Sequence, residues 1–227
     1  MPADRRPAAT RWFALNAALA WAGLAVSLTL DVLGTYPTTV TVASHYGYAV
    51  PDGFAGSTQR VADWVSYFTI WSNLTVAIVM TVLALGRRRP SRWLRAARLD
   101  SVLMITVTAV VFAVVLAPTA QQRGWENLSN ALLHQVTPLV TVLVWAVVGP
   151  RAWVGWGTVR DALVIPMAWV GWMLVRGAVT GTYPYGFVDV ALHGYAAVAL
   201  NILGILVLGV LVGVVFRGAD RLLTRRG

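Results

Sequence analysis

Long apolar segments alternate with short polar segments along the whole chain. Each apolar segment approaches the ~20 residues that an α-helix needs to cross ~30 Å of hydrocarbon. The pattern therefore predicts an all-α membrane protein, a single integral domain with a bundle of six transmembrane helices. We expect these helices at residues 12–33, 64–86, 100–117, 126–148, 160–179 and 188–215.

The composition supports the membrane class and excludes several chemistries. Hydrophobic residues make up 58% of the 227 residues and charged residues 12%, with a mean hydropathy of +0.67, whereas soluble domains are about 25% charged. The chain has no cysteine and no lysine, which excludes disulfides, thiolate chemistry and a lysine nucleophile. With three histidines and no metal-binding spacing, we expect neither a metal nor another cofactor.

The net charge of +9 comes from arginine alone. A strongly basic chain can bind nucleic acid, but these arginines cluster in short segments that flank the apolar runs. Fifteen of the 18 lie in the N-tail, the connections at 86–98 and 150–160, and the C-tail. This asymmetry predicts that both termini are cytoplasmic and that no nucleic acid is bound. The use of arginine without lysine, alongside abundant alanine, valine and glycine, is typical of a GC-rich bacterial genome, so we expect the membrane to be a bacterial plasma membrane.

The second apolar segment, "WVSYFTIWSNLTVAIVM", carries more polar side chains than a membrane anchor requires. Polar groups in hydrocarbon are costly unless they are paired or face a cavity. Ser66, Thr69 and Asn73 have helical spacing that places them on one face. The segment therefore predicts a helix with a polar face turned toward the bundle interior.

The fourth segment contains "NALLHQVTP", in which Asn130 and His134 are four residues apart and so share a helical face. Pro138 has no N–H, so we expect the carbonyl of His134 to lack its usual helical partner. At 1.5 Å per residue, Thr69 and His134 both lie about 8–12 Å below the outer surface. The two segments therefore predict a shared polar cavity near the outer leaflet.

Further polar residues lie toward the same side of the predicted bundle. Arg176 ends the fifth segment, Asp31 lies near the end of the first, and Asp189, His193 and Asn201 form a stripe on the sixth. The inner half of the bundle is expected to be almost wholly apolar.

Spacing alone does not establish catalysis. Hydroxyls in membrane helices often bond to the preceding turn, and amides often hold helices together. Three functions stay open: an enzyme, a transporter or channel, and a lipid-binding or partner-binding protein without turnover. A transporter would need polar residues through the inner half, which the sequence lacks.

Three separated blocks carry a family resemblance: "YFTIWSNLTVAI", "NALLHQVTPLV" and "VTGTYPYGFVD". Over about residues 62–205 the chain resembles the androgen-induced-protein family of six-helix membrane proteins and its bacterial relatives. Members with known activity are threonine hydrolases of fatty acid esters of hydroxy fatty acids. The resemblance implies Thr69 as nucleophile, His134 as base and a lipid ester as substrate. The chain departs from the family in its long first outer loop and at Gly186, where we expect a proline.

The implied chemistry suits the residue types. A threonine hydroxyl needs a base to take its proton, and histidine has a suitable pKa. No aspartate is placed to complete a triad, so we expect an intramembrane Thr–His dyad that hydrolyses lipid esters. The sequence does not identify the oxyanion donors. Residues expected to support the dyad or bind substrate are Ser66, Asn73, Asn130, Arg176, Asp189, His193 and Asn201.

Overall fold

A computed structural model describes residues 7–35, 40, 42–86, 91–119 and 124–225. Over these residues the chain is helical and contains no strand. Two π-turns, Phe112–Leu116 and Leu132–Val136, interrupt longer helical rods. The α-helices are α1 Pro7–Leu33, α2 Ser57–Trp64, α3 Phe68–Ala84, α4 Arg92–Val111, α5 Trp125–Ala131, α6 Thr137–Val148, α7 Trp156–Asp161, α8 Val164–Thr180 and α9 Val190–Arg225.

Five helical stretches are long and apolar enough to cross a membrane: Ala8–Leu33, Arg92–Leu116, Trp125–Val148, Trp156–Thr180 and Val190–Arg225. A sixth is present if the pair Gly53–Trp64 and Phe68–Ala84, bent by 73°, counts as one span. These helices confirm the all-α membrane class. Seven of the arginines that predict the topology lie outside the described residues: Arg5, Arg6, Arg87, Arg88, Arg89, Arg123 and Arg226.

The predicted continuous helix at 64–86 is wrong, because the chain breaks between α2 and α3. Tyr67 has extended backbone angles, φ −74° and ψ 136°, and α3 starts at the next residue. Two indole N–H groups donate to carbonyls at the break, that of Trp71 to Val65 at 2.8 Å and that of Trp169 to Ser66 at 2.9 Å. These bonds stabilise a break that would otherwise leave backbone groups unsatisfied in lipid.

Helix α4 begins at Arg92, well before the predicted residue 100, because Ser91 caps it. The Ser91 hydroxyl accepts from the N–H of Leu94 at 3.1 Å, a standard helix start. The extension adds Arg98 to the helix ahead of Asp100, and both side chains are buried. The expectation that this half of the bundle is almost wholly apolar is therefore wrong.

The core lies where α1 packs along α3, with α4 and α6 beside them. Hydroxyls link neighbouring helices within it: Thr141 donates to Asn16 at 3.1 Å, and Thr108 donates to Ser72 at 2.9 Å. On α9, a Cβ at Gly213 would lie 3.3 Å from Val159. This glycine therefore lets α9 approach α7 closely, as small residues do between membrane helices.

The segment 42–56 and the loop 181–189 meet at one end of the bundle, which we call the loop end. The N–H of Tyr183 donates to the carbonyl of Ser44 at 2.7 Å, and the N–H of Tyr46 donates back to the carbonyl of Tyr183 at 3.1 Å. The two connections thus form one cover over the helix ends. The break between α2 and α3 lies beneath this cover, since Tyr46 packs edge-on against Tyr67.

Candidate functional site

Thr69 and His134 meet beneath the loop end. Thr69 Oγ1 lies 3.1 Å from His134 Nε2, a distance that suits proton transfer. Thr69 belongs to the first turn of α3, and His134 belongs to the π-turn Leu132–Val136. The expectation that these two side chains face each other is met, although they are 65 residues apart in sequence.

Asn73 links the first turn of α3, which carries Thr69, to the π-turn that carries His134. In the π-turn the N–H of Thr137 donates to the carbonyl five residues earlier, that of Leu132. The carbonyl of Leu133 would therefore pair with the N–H of residue 138, but Pro138 has no N–H. The Asn73 amide donates to that carbonyl at 3.2 Å and to the carbonyl of Thr69 at 2.9 Å. Sequence analysis predicted that the carbonyl of His134 lacks its helical partner. In the π-turn, the carbonyl that Asn73 binds is that of Leu133, one residue earlier.

Phe112 lies flat on the imidazole, with ring centroids 4.2 Å apart and an interplanar angle of 24°. It opens the other π-turn, Phe112–Leu116. His134 Nδ1 is buried, and the polar group that the imidazole interacts with is the backbone of Asn130, one turn earlier, so no carboxylate among the described residues orients the ring. Sequence analysis missed Phe112, because an apolar residue at the end of an apolar helix carries no signal of this contact.

Tyr185 is the second residue that sequence analysis missed. Its hydroxyl lies 3.5 Å from Thr69 Oγ1 and interacts with the backbone N–H groups of Phe68 and Thr69. Those N–H groups belong to the first turn of α3, where no helical acceptor exists. Burial raises the pKa of Tyr185, despite the opposing effect of its polar neighbours. The hydroxyl therefore stays protonated and able to donate. Tyr185 lies in the block "VTGTYPYGFVD", which sequence analysis used only for the family resemblance.

Two cavities meet at these residues. The polar cavity, of about 460 Å³, opens toward the loop end and includes Asp31, Arg60, Asp63, Glu126 and Asn130 in its wall. The apolar crevice, of about 60 Å³, runs between α4, α8 and α9. Both cavities are lined by the same five residues at their junction: Thr69, Phe112, Leu116, His134 and Tyr185. A molecule that extended from one cavity into the other would therefore cross the Thr69–His134 pair.

Of the expected supporting residues, Asn130 lines the polar cavity, whereas Ser66 and Arg176 do not. The Ser66 hydroxyl donates to the carbonyl of Ala62 at 2.7 Å and accepts from the Trp172 indole at 3.0 Å. It lies in the break before α3, so the expected common face with Thr69 is absent. Arg176 forms an ion pair with Asp63 at 2.6 Å.

The expected stripe on the sixth segment is not formed. Gly194 has φ +72° and ψ 163°, which interrupts α9. Asp189 is fully buried, accepts from the Ser44 hydroxyl and caps the helix through the N–H of Ala191 at 2.8 Å. His193 and Asn201 are exposed and line neither cavity. The Asp189 carboxylate is therefore used by the helix start and by Ser44.

Comparison of the chain with protein-family models, with curated proteins and with solved structures gives no match. The resemblance to the androgen-induced-protein family stays a prediction from three sequence blocks. Among the described residues, no group of three or more histidine or acidic side chains is arranged to hold a metal ion.

Proposed function

We propose that this protein is an intramembrane hydrolase of lipid esters, with Thr69 as nucleophile and His134 as general base. The observation that carries the proposal is the 3.1 Å distance between Thr69 Oγ1 and His134 Nε2 at the junction of the two cavities. A threonine hydroxyl is a weak nucleophile until a base within hydrogen-bond reach accepts its proton. Fatty acid esters of hydroxy fatty acids are the substrates that the family resemblance implies.

The proposed reaction has two halves. Thr69 Oγ1 attacks the ester carbonyl while His134 Nε2 takes its proton. The tetrahedral intermediate then expels the alcohol, which receives that proton, and an acyl-threonine remains. Water attacks the acyl-threonine, again with His134 as base, and releases the fatty acid while the threonine proton returns. This scheme needs neutral imidazole with its hydrogen on Nδ1, leaving Nε2 as the acceptor.

The negative oxygen of the intermediate needs hydrogen-bond donors. Tyr185 and the N–H groups of Phe68 and Thr69 converge beside the Thr69 hydroxyl. Donors aimed at developing charge in a site without bulk water lower the barrier strongly, and the first turn of a helix adds favourable dipoles. We propose this group as the oxyanion site, with Tyr185 changing its partner from Thr69 to the substrate.

We further propose six spans, with the bent α2–α3 pair as the second, both termini cytoplasmic and the loop end outside a bacterial plasma membrane. The arginine asymmetry supports this orientation. The polar cavity then opens toward the outer leaflet, from which lipid can enter sideways.

The transporter alternative has less support. Neither Arg98 nor Asp100 is among the described residues that line the two cavities. These two buried charges, at the end of the bundle away from the loop end, therefore do not continue the polar cavity. A lipid-binding protein without turnover would use the same cavities, and only a measurement of catalysis separates it from an enzyme.

The test is release of fatty acid from lipid esters by purified protein in detergent micelles. We expect wild type to hydrolyse an ester that Thr69→Ala leaves intact. The rate of hydrolysis by His134→Ala should be about 10²–10⁴-fold lower than that of wild type, because this is the usual contribution of a general base. His193→Ala removes an exposed histidine outside the cavities and serves as the matched control. Equal turnover by wild type and Thr69→Ala would rule out the proposed nucleophile.

A further inference from the structure

We propose that a row of arginines at the end of the bundle away from the loop end binds the phosphate headgroup of an anionic phospholipid. The row consists of Arg217, Arg221 and Arg225 on α9, and we call it the arginine face. This inference concerns a site away from the Thr69–His134 pair and does not depend on the hydrolase activity. It uses the proposed orientation, which places this end of the bundle at the inner leaflet.

The three arginines of this face lie on one side of α9. They follow one another at intervals of four residues, so each is turned by only ~40° from the one before and lies about one helical turn further along. Arg217 is half-buried, and Arg221 and Arg225 are exposed. An arginine side chain does not lose its proton in proteins. The last turns of α9 therefore present a row of fixed positive charges.

No acidic side chain among the described residues forms an ion pair with this row. Asp220 is the nearest in sequence, but it is buried, and its two carboxylate oxygens accept from the backbone N–H groups of Ala152 and Val154, at 3.2 and 3.1 Å. Like charges four residues apart destabilise a helix. The arginine face therefore carries a repulsion that a bound anion would relieve.

Other arginines at this end of the bundle are engaged within the protein. Arg92 and Arg160 both form ion pairs with Asp161, at 2.6 and 3.0 Å. Arg151 donates to carbonyls in the last turn of α6, including that of Trp145 at 2.5 Å. These side chains hold α4, α6 and α7 in place. The arginine face forms no such bonds, so its charges remain available to a ligand.

Trp156 marks the depth of the arginine face in the membrane. Its side chain is exposed, and the guanidinium of Arg217 lies over its ring, 4.0 Å from the centroid. Exposed tryptophans concentrate at the level of the lipid headgroups. Arg217 Nε is buried and has no hydrogen-bond partner among the described residues. The stack therefore holds an incompletely bonded guanidinium at headgroup depth.

A cavity of about 540 Å³ lies beside the arginine face. Arg221, Thr224 and Arg225 line it from α9, and residues of the connection before α7, among them Gly155, line the opposite side. Asp220 also lines it, but its oxygens are used by the backbone as described above. Arginine binds phosphate oxygens through paired hydrogen bonds, and basic pockets on the cytoplasmic side of helix bundles bind phospholipid headgroups. The cavity therefore suits a phosphodiester headgroup.

The surface above the arginines favours a lipid over a free anion. The preceding turns of α9 present exposed apolar side chains on the same side of the helix. These residues are Val207, Val210 and Val214. An acyl chain can lie along them while its phosphate contacts the arginine face, whereas inorganic phosphate would gain nothing from the valines. One side of α9 thus matches the polar and the apolar part of a single phospholipid.

The experiment measures the binding of phosphatidylglycerol to the purified protein in uncharged detergent micelles by native mass spectrometry. All variants carry Thr69→Ala, so that the proposed nucleophile cannot consume the lipid. We expect phosphatidylglycerol to bind more tightly than phosphatidylcholine, whose choline cancels the phosphate charge. Arg221→Gln should weaken binding by about fivefold, because each basic residue near an anionic headgroup contributes ~1 kcal/mol. Replacement of all three arginines by glutamine should weaken it by about 10²-fold.

Arg11→Gln is the matched control, because Arg11 is an exposed arginine at the same end of the bundle but on α1. It should bind phosphatidylglycerol as tightly as the parent protein does. Equal affinity for the two lipids, or equal losses in Arg11→Gln and Arg221→Gln, would overturn the site. Inorganic phosphate is titrated as a competitor, and displacement of the lipid at equal concentration would show that the surface binds a free anion, which also overturns the proposal.

Discussion

Phe112 and His134 lie face to face with their ring centroids 4.2 Å apart, and each belongs to a π-turn of a different helical rod. Turns of this kind are rare and often occur at functional sites. The contact holds the imidazole plane while Nε2 points at Thr69. No carboxylate among the described residues reaches the ring, so this stack and the interaction with the backbone of Asn130 take the orienting role that a carboxylate has in a triad.

The first prediction concerns this stack. Phe112→Leu removes the aromatic contact but keeps an apolar side chain, and we expect kcat to fall by about three- to tenfold, the equivalent of one aromatic pair. Phe112→Tyr retains the ring and should stay close to wild type. Thermal unfolding of both variants in detergent controls for folding. A Phe112→Leu enzyme with unchanged kcat would show that the ring does not position His134.

The second prediction concerns the proposed oxyanion site. Tyr185→Phe removes one hydroxyl that lies 3.5 Å from Thr69 Oγ1. We expect kcat to fall by about 10²-fold with little change in KM, because an oxyanion donor acts mainly in the transition state. Tyr183→Phe removes a hydroxyl from the same loop, and Tyr183 lines neither cavity. A loss in KM alone, or equal losses in both variants, would contradict the assignment.

The third prediction concerns the carbonyl of Leu133. Asn73→Leu leaves this buried carbonyl without its donor and should cost about 1–3 kcal/mol of unfolding free energy. Pro138→Ala restores an N–H that can bond to the same carbonyl, so Asn73→Leu should cost less in that background. A double-mutant cycle followed by denaturation in detergent measures this coupling. Strict additivity would mean that Asn73 and residue 138 do not serve one carbonyl.

Sequence analysis predicted the helical class and a polar cavity shared by the segments of Thr69 and His134 for physical reasons, whereas the pairing of these two residues came from the family resemblance. Lipid requires long apolar helices, and a mid-span histidine needs a polar partner, so both leave strong signals. The break before α3 leaves no such signal. Its freed carbonyls are bound in part by Trp169, about a hundred residues away in sequence.

Other features also depended on backbone geometry that composition does not encode. The stripe through His193 and Asn201 assumed an unbroken helix, and the positive φ of Gly194 ends that periodicity. Asp189 was expected to support the site, but a buried carboxylate next to a helix start caps the helix instead. Tyr185 reaches Thr69 from a loop, where no helical spacing could place it.

The most direct test of the central claim is covalent labelling with a fluorophosphonate probe, followed by peptide mass spectrometry. The proposed dyad predicts one adduct on Thr69, absent from Thr69→Ala and formed more slowly in His134→Ala. Ser72 lies one turn further along α3 and already donates to the carbonyl of Thr69 at 2.9 Å, so Ser72→Ala should label as wild type does. An adduct on another residue, or labelling that persists in Thr69→Ala, would contradict Thr69 as the nucleophile.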